Sequence, residues 1–387
     1  MIRNISVGID VGSKTTRVVV GEFIKGEKNP RIIGIGEYET KGVRHGYVVD
    51  PISAVKSLKN AVENAEKSSG IKIRRAFVAL GGTTLRGNIS SGVVVISKAD
   101  GEVTPLDVAK VLEDCENNLN LENKKVIQVS PVSFRLDGGE VLGRLEGMRG
   151  TKLEAKALFV TYSVQHLEDL LETIEEAGIQ IIDVIASPLA QSHIVLSEKQ
   201  KIVGVALVSI GDQTTSLAVF ENGMLISTQT FSLGSSDITN DIALGLKIPL
   251  DRAEHLKIGS TDGDYSQKKL TEIIEARLSD IFELIDNHLK KIKRNGLLPA
   301  GVVFVGGGAN VKGLAELSKS VLRLPSSIGT TEMFNNTKTK LRDSAWFTAL
   351  GLLISGKDND GYSGSSFANL LKDLKHAVKS SIKQLMP

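Results

Sequence analysis

Cysteine, proline, aromatic side chains and long apolar runs are all scarce in this chain, and each scarcity removes a class of protein. The single cysteine, Cys115, cannot make an intramolecular disulfide, which excludes a disulfide-stapled scaffold and fits a reducing compartment. No apolar run approaches the roughly 18 residues of a membrane-spanning helix. Aromatics amount to 4% of the chain and form no row suited to base stacking. A formal net charge of +2 gives no bulk attraction to nucleic acid, so no nucleic-acid partner is expected. The six histidines are scattered without metal-ligand spacing, and no Ser–His–Asp or Cys–His set emerges from their positions. Met1–Asp10 runs straight into a strand pattern with no long apolar core, so no signal peptide is expected and the cytosol is the default compartment.

What remains is an ordinary globular composition, 41% apolar and 24% charged, over 387 residues, a length that suggests two or three domains. Residues 5–50 alternate short apolar runs with glycine, as "ISVGID", "TRVVVGEF", "PRIIGIGEYE" and "VRHGYVVD". This reads as a strand meander with turns at Gly12-Ser13-Lys14, Lys25-Gly26 and His45-Gly46. Asp50-Pro51 opens a helix whose apolar stripe is Ile52, Val55, Leu58 and Val62, and "RRAFVALGG" returns to a strand. Residues 205–233 repeat the meander, a helix follows from about Asp237, and "AGVVFVGGG" supplies the returning strand. A meander–helix–strand unit present twice predicts two duplicated α/β lobes facing each other across a ligand cleft. Residues 84–163 stand apart, with three strand patterns and a helix N-capped by Thr104. Residues 236–298 read as a mostly helical insertion.

The polar turns of the two meanders suit phosphate. In "GIDVGSKTTRVVVGE", Asp10 ends a strand where a carboxylate can hold hydrated Mg²⁺, which usually takes one or two carboxylates plus phosphate oxygens. Gly12 admits the backbone close to a phosphate, and Ser13, Lys14 and Thr15 add N–H groups, hydroxyls and a cation. Gly211, Asp212, Gln213 and Thr214 form the corresponding turn of "GVALVSIGDQTTSLAVFENG". In "GVVFVGGGANVKGL", a buried strand runs into Gly306, Gly307 and Gly308 and then a helix expected near Asn310, which offers bare backbone to an adenosine phosphate.

On these motifs, together with "GVRHGYVVD", "VIQVSPVSFRLDG", "SSDITNDIALGLKIPLDRAEHLK" and the terminal amphipathic helix, the chain resembles the actin/Hsp70/sugar-kinase superfamily. Within it, the chain resembles the FtsA family of bacterial actin-like cell-division proteins over essentially residues 5–387. The resemblance implies an actin-like fold with ATP and Mg²⁺ between two lobes and self-association into filaments. It also implies docking of the C-terminal tail of FtsZ and contact with other divisome proteins at the inner face of the cell membrane. Glu254 and Lys257 match positions that reach the ribose and adenine in the superfamily. The implied division is 1–83, 164–196 and 334–355 for subdomain 1A, with 84–163 as an inserted subdomain 1C. Residues 197–235 and 299–333 form 2A, 236–298 form 2B, 356–366 a linker and 367–387 a membrane-targeting helix. A small-molecule kinase or a pilus-assembly actin homologue is the alternative within the same superfamily.

The second hairpin departs from the family's usual D-[IL]-G-G-G-T-T-D. Ser209 and Ser216 replace both acids, and Asp212 and Gln213 replace two glycines. Ser187 likewise stands where superfamily ATPases often place an acid. A site that orders Mg²⁺ and an attacking water needs fixed acceptors, so weak or no ATP hydrolysis is expected. In the terminal helix, Phe367, Leu370, Leu371, Leu374, Val378 and Ile382 share a stripe, flanked by Lys372, Lys375, Lys379 and Lys383. That pattern suits an interfacial helix in anionic headgroups. A second basic patch, Lys290, Lys291, Lys293 and Arg294, ends the long helix at 268–294. It is the expected site for the acidic, hydrophobic FtsZ tail.

Overall fold

In the computed structural model, residues 4–27, 29–141, 143–259, 265–331, 333 and 339–355 are described. The expected linker at 356–366 and the expected membrane-targeting helix at 367–387 lie outside these residues. The first meander folds as β1 (Asn4–Val11), β2 (Thr15–Phe23) and β3 (Arg31–Glu39), an antiparallel set followed by the small hairpin β4 (Val43–Arg44) and β5 (Tyr47–Val48). Helix α1 (Pro51–Ser69) is N-capped by the Asp50 carboxylate, which accepts from Ser53 N–H and Oγ. It buries Ala54, Val55, Leu58, Ala61, Val62 and Ala65. Ile52, expected on that stripe, is instead 83% exposed. β6 (Arg75–Leu80) then returns parallel to β1.

The inserted segment supplies β7 (Arg86–Val95), α2 (Pro105–Asn117), β8 (Lys124–Leu136), β9 (Gly139–Glu140) and β10 (Lys152–Ser163). Thr104 caps α2 in a reciprocal box with Asp107, as its position in the sequence predicts. The chain then re-enters the first lobe through α3 (Val164–Glu176), β11 (Gln180–Ala186) and α4 (Ser187–Val195). β11 pairs parallel with β6, which completes a five-stranded sheet in the order β11-β6-β1-β2-β3.

After α5 (Glu198–Val203), the second meander forms β12 (Val205–Ile210), β13 (Thr215–Glu221) and β14 (Met224–Phe231). Helices α6 (Ser235–Leu246), α7 (Leu250–Lys257) and α8 (Gln267–Lys291) make the helical insertion. β15 (Val302–Val305) lies parallel to β12, and β16 (Ser326–Ile328) parallel to β15. The order β16-β15-β12-β13-β14 repeats the first sheet strand for strand. The duplication legible in the sequence is therefore a duplication of topology. Between β15 and β16 lies α9 (Leu314–Leu322), and α10 (Phe347–Ser355) closes the described chain.

The inserted segment has its own apolar core around Val103, Val111, Cys115, Leu153 and Phe159. It is not separate from the rest of the molecule. β10 is long enough that Leu158, Val160 and Tyr162 join the core shared by the two lobes, and β7 touches β14 through the single pair Arg86–Gln229. Two glycines let the first lobe close on itself. A Cβ on Gly36 would lie 2.0 Å from the Ala61 carbonyl oxygen of α1, and one on Gly351 would lie 2.0 Å from that of Ala190 in α4.

Candidate functional site

Both sheets end their first hairpin at the same place, and there a cavity of about 340 Å³ opens between the lobes. Ligands in α/β sheets commonly sit at the carboxyl ends of the parallel strands. Asp10, Gly12, Ser13, Lys14 and Thr15 line it from the first hairpin. Gly211, Asp212 and Thr214 line it from the second, and Gly306, Gly307 and Asn310 from the glycine turn. Glu254 and Lys257 of α7 complete one wall. Segments far apart in the chain thus converge, and Lys14 and Glu254, 240 residues apart, are in direct contact.

Three expectations come out differently. Gln213 does not line the cavity. Its Oε1 accepts from His45 N–H at 2.8 Å, and its carbonyl oxygen lies 3.1 Å from His45 Nδ1. Gly308 is buried against Ile210, where a Cβ would come within 2.4 Å of Ile210 Cγ2, so it seats the turn on β12. The helix expected near Asn310 starts at Leu314. Gly306 (φ 85°) opens a single 3₁₀ turn over Gly307–Asn310, Val311 is extended, and Gly313 (φ 81°) precedes the first helical residue.

On the α7 wall, Glu254 Oε1 accepts from Lys14 Nζ at 2.8 Å across the cleft. Its Oε2 meets Lys257 Nζ at 2.7 Å and Thr239 Oγ1 at 2.6 Å. Burial disfavours the Glu254 charge, but hydrogen bonds from Lys14, Lys257 and Thr239 outweigh it and bring the carboxyl down to about 2. Lys257 is buried, and its ammonium also donates to Ser235 O at 3.0 Å and Thr239 Oγ1 at 2.9 Å. An ammonium has three donors, and all three are engaged with the protein here. Lys257 fixes Glu254 rather than projecting its own charge into the cavity, and burial lowers its pKa.

The cavity floor holds residues that the motifs did not single out. Asp10 faces Arg17 across the β1–β2 ladder, and the Arg17 guanidinium lies 5.6 Å from the Trp346 ring centre. Burial pushes the Asp10 carboxyl up to about 6, against the opposing pull of Arg17 and the Thr348 hydroxyl. Gln191 Nε2 donates to Ser209 Oγ and to Thr348 Oγ1, both at 2.9 Å, while its buried Oε1 has no partner among the described residues. Ser216 Oγ is within 3.1 Å of Thr230 Oγ1. The two serines that replace acids are thus committed to neutral hydrogen bonds. Gln191 lies in "IASPLAQSH", four residues after Ser187, and a buried polar residue on an apolar helix was its available signal. Trp346 and Thr348 come from a distant segment with no local signal.

Burial also raises the Asp212 pKa, with Lys14 and Lys257 acting against it. The Asp212 carbonyl oxygen accepts from Ser236 N–H and Oγ, which ties the second turn to the start of α6. The desolvated Asp10 carboxylate, with hydroxyls of both hairpins around it, fits the hard-oxygen preference of Mg²⁺.

The basic patch is partly consumed. Lys290 pairs with Asp286 at 2.5 Å, and Arg294 grips Glu221 through Nε at 3.0 Å and Nη2 at 2.7 Å. Lys291 and Lys293 carry no ion pair among the described residues.

Residues 206–351 match the family profile "Cell division protein FtsA", and residues 82–161 match "SHS2 domain inserted in FTSA". The Pseudomonas aeruginosa cell division protein FtsA is 30% identical over 94% of this chain and 93% of its own length. The Bacillus subtilis protein is 31% identical over 90% of this chain and 82% of its own. The chain belongs to the FtsA family of cell division proteins. Its inserted segment is the SHS2 domain of that family, which has an apolar core of its own although its strands β7, β10, β8 and β9 continue the second lobe's sheet beyond β14. Among solved structures, this FtsA-family chain is similar to a PilM-PilN type IV pilus biogenesis complex, with a TM-score of 0.67 at 16% identity over 91% of this chain and 98% of that one. It is also similar to MreB5 of Spiroplasma citri bound to ADP, with a TM-score of 0.53 at 13% identity over 92% and 99%. These likenesses place the FtsA-family chain in the actin-like fold. No helix among the described residues is long and apolar enough to cross a membrane.

Proposed function

We propose that this FtsA-family chain binds ATP with Mg²⁺ in the interlobe cavity and hydrolyses it slowly or not at all. The observation that carries this reading is the convergence of both hairpins and the glycine turn on one cavity. Asp10 would hold the metal through its waters, and Mg²⁺ when bound offsets phosphate charge. Gly12, Ser13, Thr15, Gly211 and Thr214 offer backbone and hydroxyl groups to the phosphates, with Gly306, Gly307 and Asn310 beside the adenosine. Glu254, held ionised by its partners, is placed to accept from ribose hydroxyls, while Lys14 turns from Glu254 to the phosphates. Slow turnover follows from Ser209 and Ser216, neutral groups that can neither bind a second metal nor take a proton from water at neutral pH.

Filaments of this chain, formed by actin-like self-association, would lie on the cytoplasmic face of the membrane at the division site. The helix at 367–387 would hold them there, and they would tether FtsZ by its C-terminal tail and engage other divisome proteins. Electron microscopy of the full chain on an anionic lipid monolayer, with ATP, ADP or no nucleotide, tests the whole reading. Filaments that require ATP, together with phosphate release well below one turnover per minute, are the expected outcome. Filaments indifferent to nucleotide, or multiple turnovers per minute, would overturn the corresponding part.

Two further outcomes follow from the site. Asp212→Gly is expected to tighten ATP binding about tenfold, because it removes a desolvated carboxylate beside the phosphates. Unchanged or weaker affinity in a fluorescent-nucleotide titration would mean that a cation bridges Asp212 to the ligand. For the FtsZ tail, Lys291→Glu with Lys293→Glu should weaken peptide binding about tenfold, since these cations carry no described intramolecular ion pair. Arg294→Ala should lower Tm as well, through the orphaned Glu221. A tail peptide that binds the double variant normally would move the partner site elsewhere.

A further inference from the structure

The β4–β5 hairpin touches both phosphate hairpins on one side and both ends of the inserted subdomain on the other. Its turn, His45-Gly46, has φ values of 51° and 82°, the left-handed pair that a two-residue hairpin needs. A histidine in that region carries a conformational cost that neighbouring contacts must offset. The contacts are present. His45 bonds twice to Gln213 of the second hairpin, and Gly46 N–H donates to Ser13 Oγ of the first at 3.2 Å. Val43, Gly46 and Val48 line the cavity wall between them.

The opposite side of the hairpin meets the roots of the inserted subdomain without slack. A Cβ on Gly46 would lie 2.5 Å from Gly82 Cα, and one on Gly82 would lie 2.9 Å from Tyr47 Cε1 and 3.1 Å from Tyr162 Oη. Tyr47 Oη hydrogen-bonds Thr83 Oγ1, just before β7 leaves the lobe. The Tyr47 ring stacks on His166, just after β10 returns, with centroids 3.8 Å apart and planes 13° apart. Tyr162, at the end of β10, donates to Gly81 O at 2.7 Å. One two-stranded ribbon therefore joins the cleft to the entry and the exit of residues 84–163.

We propose that this hairpin is a strap through which occupancy of the cleft biases the inserted subdomain, an inference that rests on the nucleotide reading above. A phosphate group held between the hairpins fixes the spacing of Ser13 and Gln213, and with it both anchors of the strap. An empty cleft leaves that spacing to the strap itself. Because Gly46 and Gly82 have no free space between them, a shift of the turn must pass to the 81–83 segment rather than be absorbed. Gln213, in place of a family glycine, provides the second anchor. By linkage, whatever binds the inserted subdomain would alter nucleotide affinity by the same factor, and such couplings are typically about 5- to 150-fold.

Hydrogen exchange on the full chain tests the coupling. Peptides covering 82–95 and 157–170 are followed without nucleotide and with saturating Mg-ATP, alongside titration with a fluorescent ATP analogue. In the native sequence, Mg-ATP is expected to slow exchange in these peptides at least fivefold. Tyr47→Ala, outside the cavity lining, should cut that response below twofold while affinity stays within threefold. Gln213→Gly, which cuts the strap at its other end, should also cut the response once saturated. It carries the test if Tyr47→Ala fails to fold. A full response in either folded variant, or none in the saturated native protein, would overturn the strap. Absence of binding in the titration would instead sink the nucleotide reading beneath it.

Discussion

Removal of residues 366–387 is expected to abolish co-sedimentation of the protein with anionic vesicles. The reason lies in the composition of that segment. Phe367, Leu370, Leu371, Leu374, Val378 and Ile382 recur at helical spacing, and Lys372, Lys375, Lys379 and Lys383 stand against the single Asp373. Each lysine near an anionic surface adds about 1 kcal/mol, and the apolar stripe adds insertion into the headgroup boundary. One such helix binds reversibly, so filaments, which present many copies, should pellet more completely than monomers. The described core ends earlier, with Phe347, Leu350 and Leu353 of α10 buried in the first lobe, and should survive the cut. Added salt should weaken binding of the full chain, as expected for a partly electrostatic contact. A truncated protein that still pellets with anionic vesicles would place the anchor elsewhere.

The legible part of this molecule is its repetition. Two polar turns at matching places in two meanders, each followed by a helix and a returning strand, predict a duplicated lobe, and in the structure the returning strands β6 and β15 pair parallel with β1 and β12. Local chemistry was equally readable, as in the Asp50 and Thr104 caps. Side-chain direction at the cleft was not. Gln213 lies in a phosphate turn by position, yet turns to His45, and that choice depends on a hairpin 168 residues away. The partners of Arg17, Gln191 and Asp10 come from 346–348, where the pattern shows an apolar helix and nothing more. In the basic patch, the Asp286 partner of Lys290 stands at i,i+4 spacing on the same helix and is open to reading from the sequence, whereas the Glu221 partner of Arg294, 73 residues away, is set by tertiary packing. The order of the parts follows from local pattern, while the hydrogen bonds between parts are a property of the assembled cleft.

Asp10→Asn should stabilise the nucleotide-free protein at pH 8 and at the same time remove its stabilisation by Mg-ATP. The Asp10 carboxyl moves from 3.8 to about 6 on folding, so the folded state prefers the protonated form. Below about pH 3 the group is mostly neutral in both states and contributes little. Between pH 4 and 6 the unfolded chain loses its proton first, and stability falls as pH rises. Above pH 6 both states are ionised, and the folded chain bears the whole burial cost. At 1.36 kcal/mol per unit this cost is at most about 3 kcal/mol, less whatever water at the cavity mouth screens. Asparagine keeps the shape and an acceptor for Thr348 without the charge. Its Tm should therefore exceed that of the native protein by a few degrees at pH 8, and the gap should shrink to about a third by pH 4.5 and close near pH 3. Saturating Mg-ATP should reverse the order, because a ligand at 100 times its Kd adds about 2.7 kcal/mol to the protein that binds it. If Asp10→Asn is less stable than the native chain when free at pH 8, the carboxylate is not a strained group held for a cation. If it gains as much from Mg-ATP as the native chain does, the metal is held without Asp10.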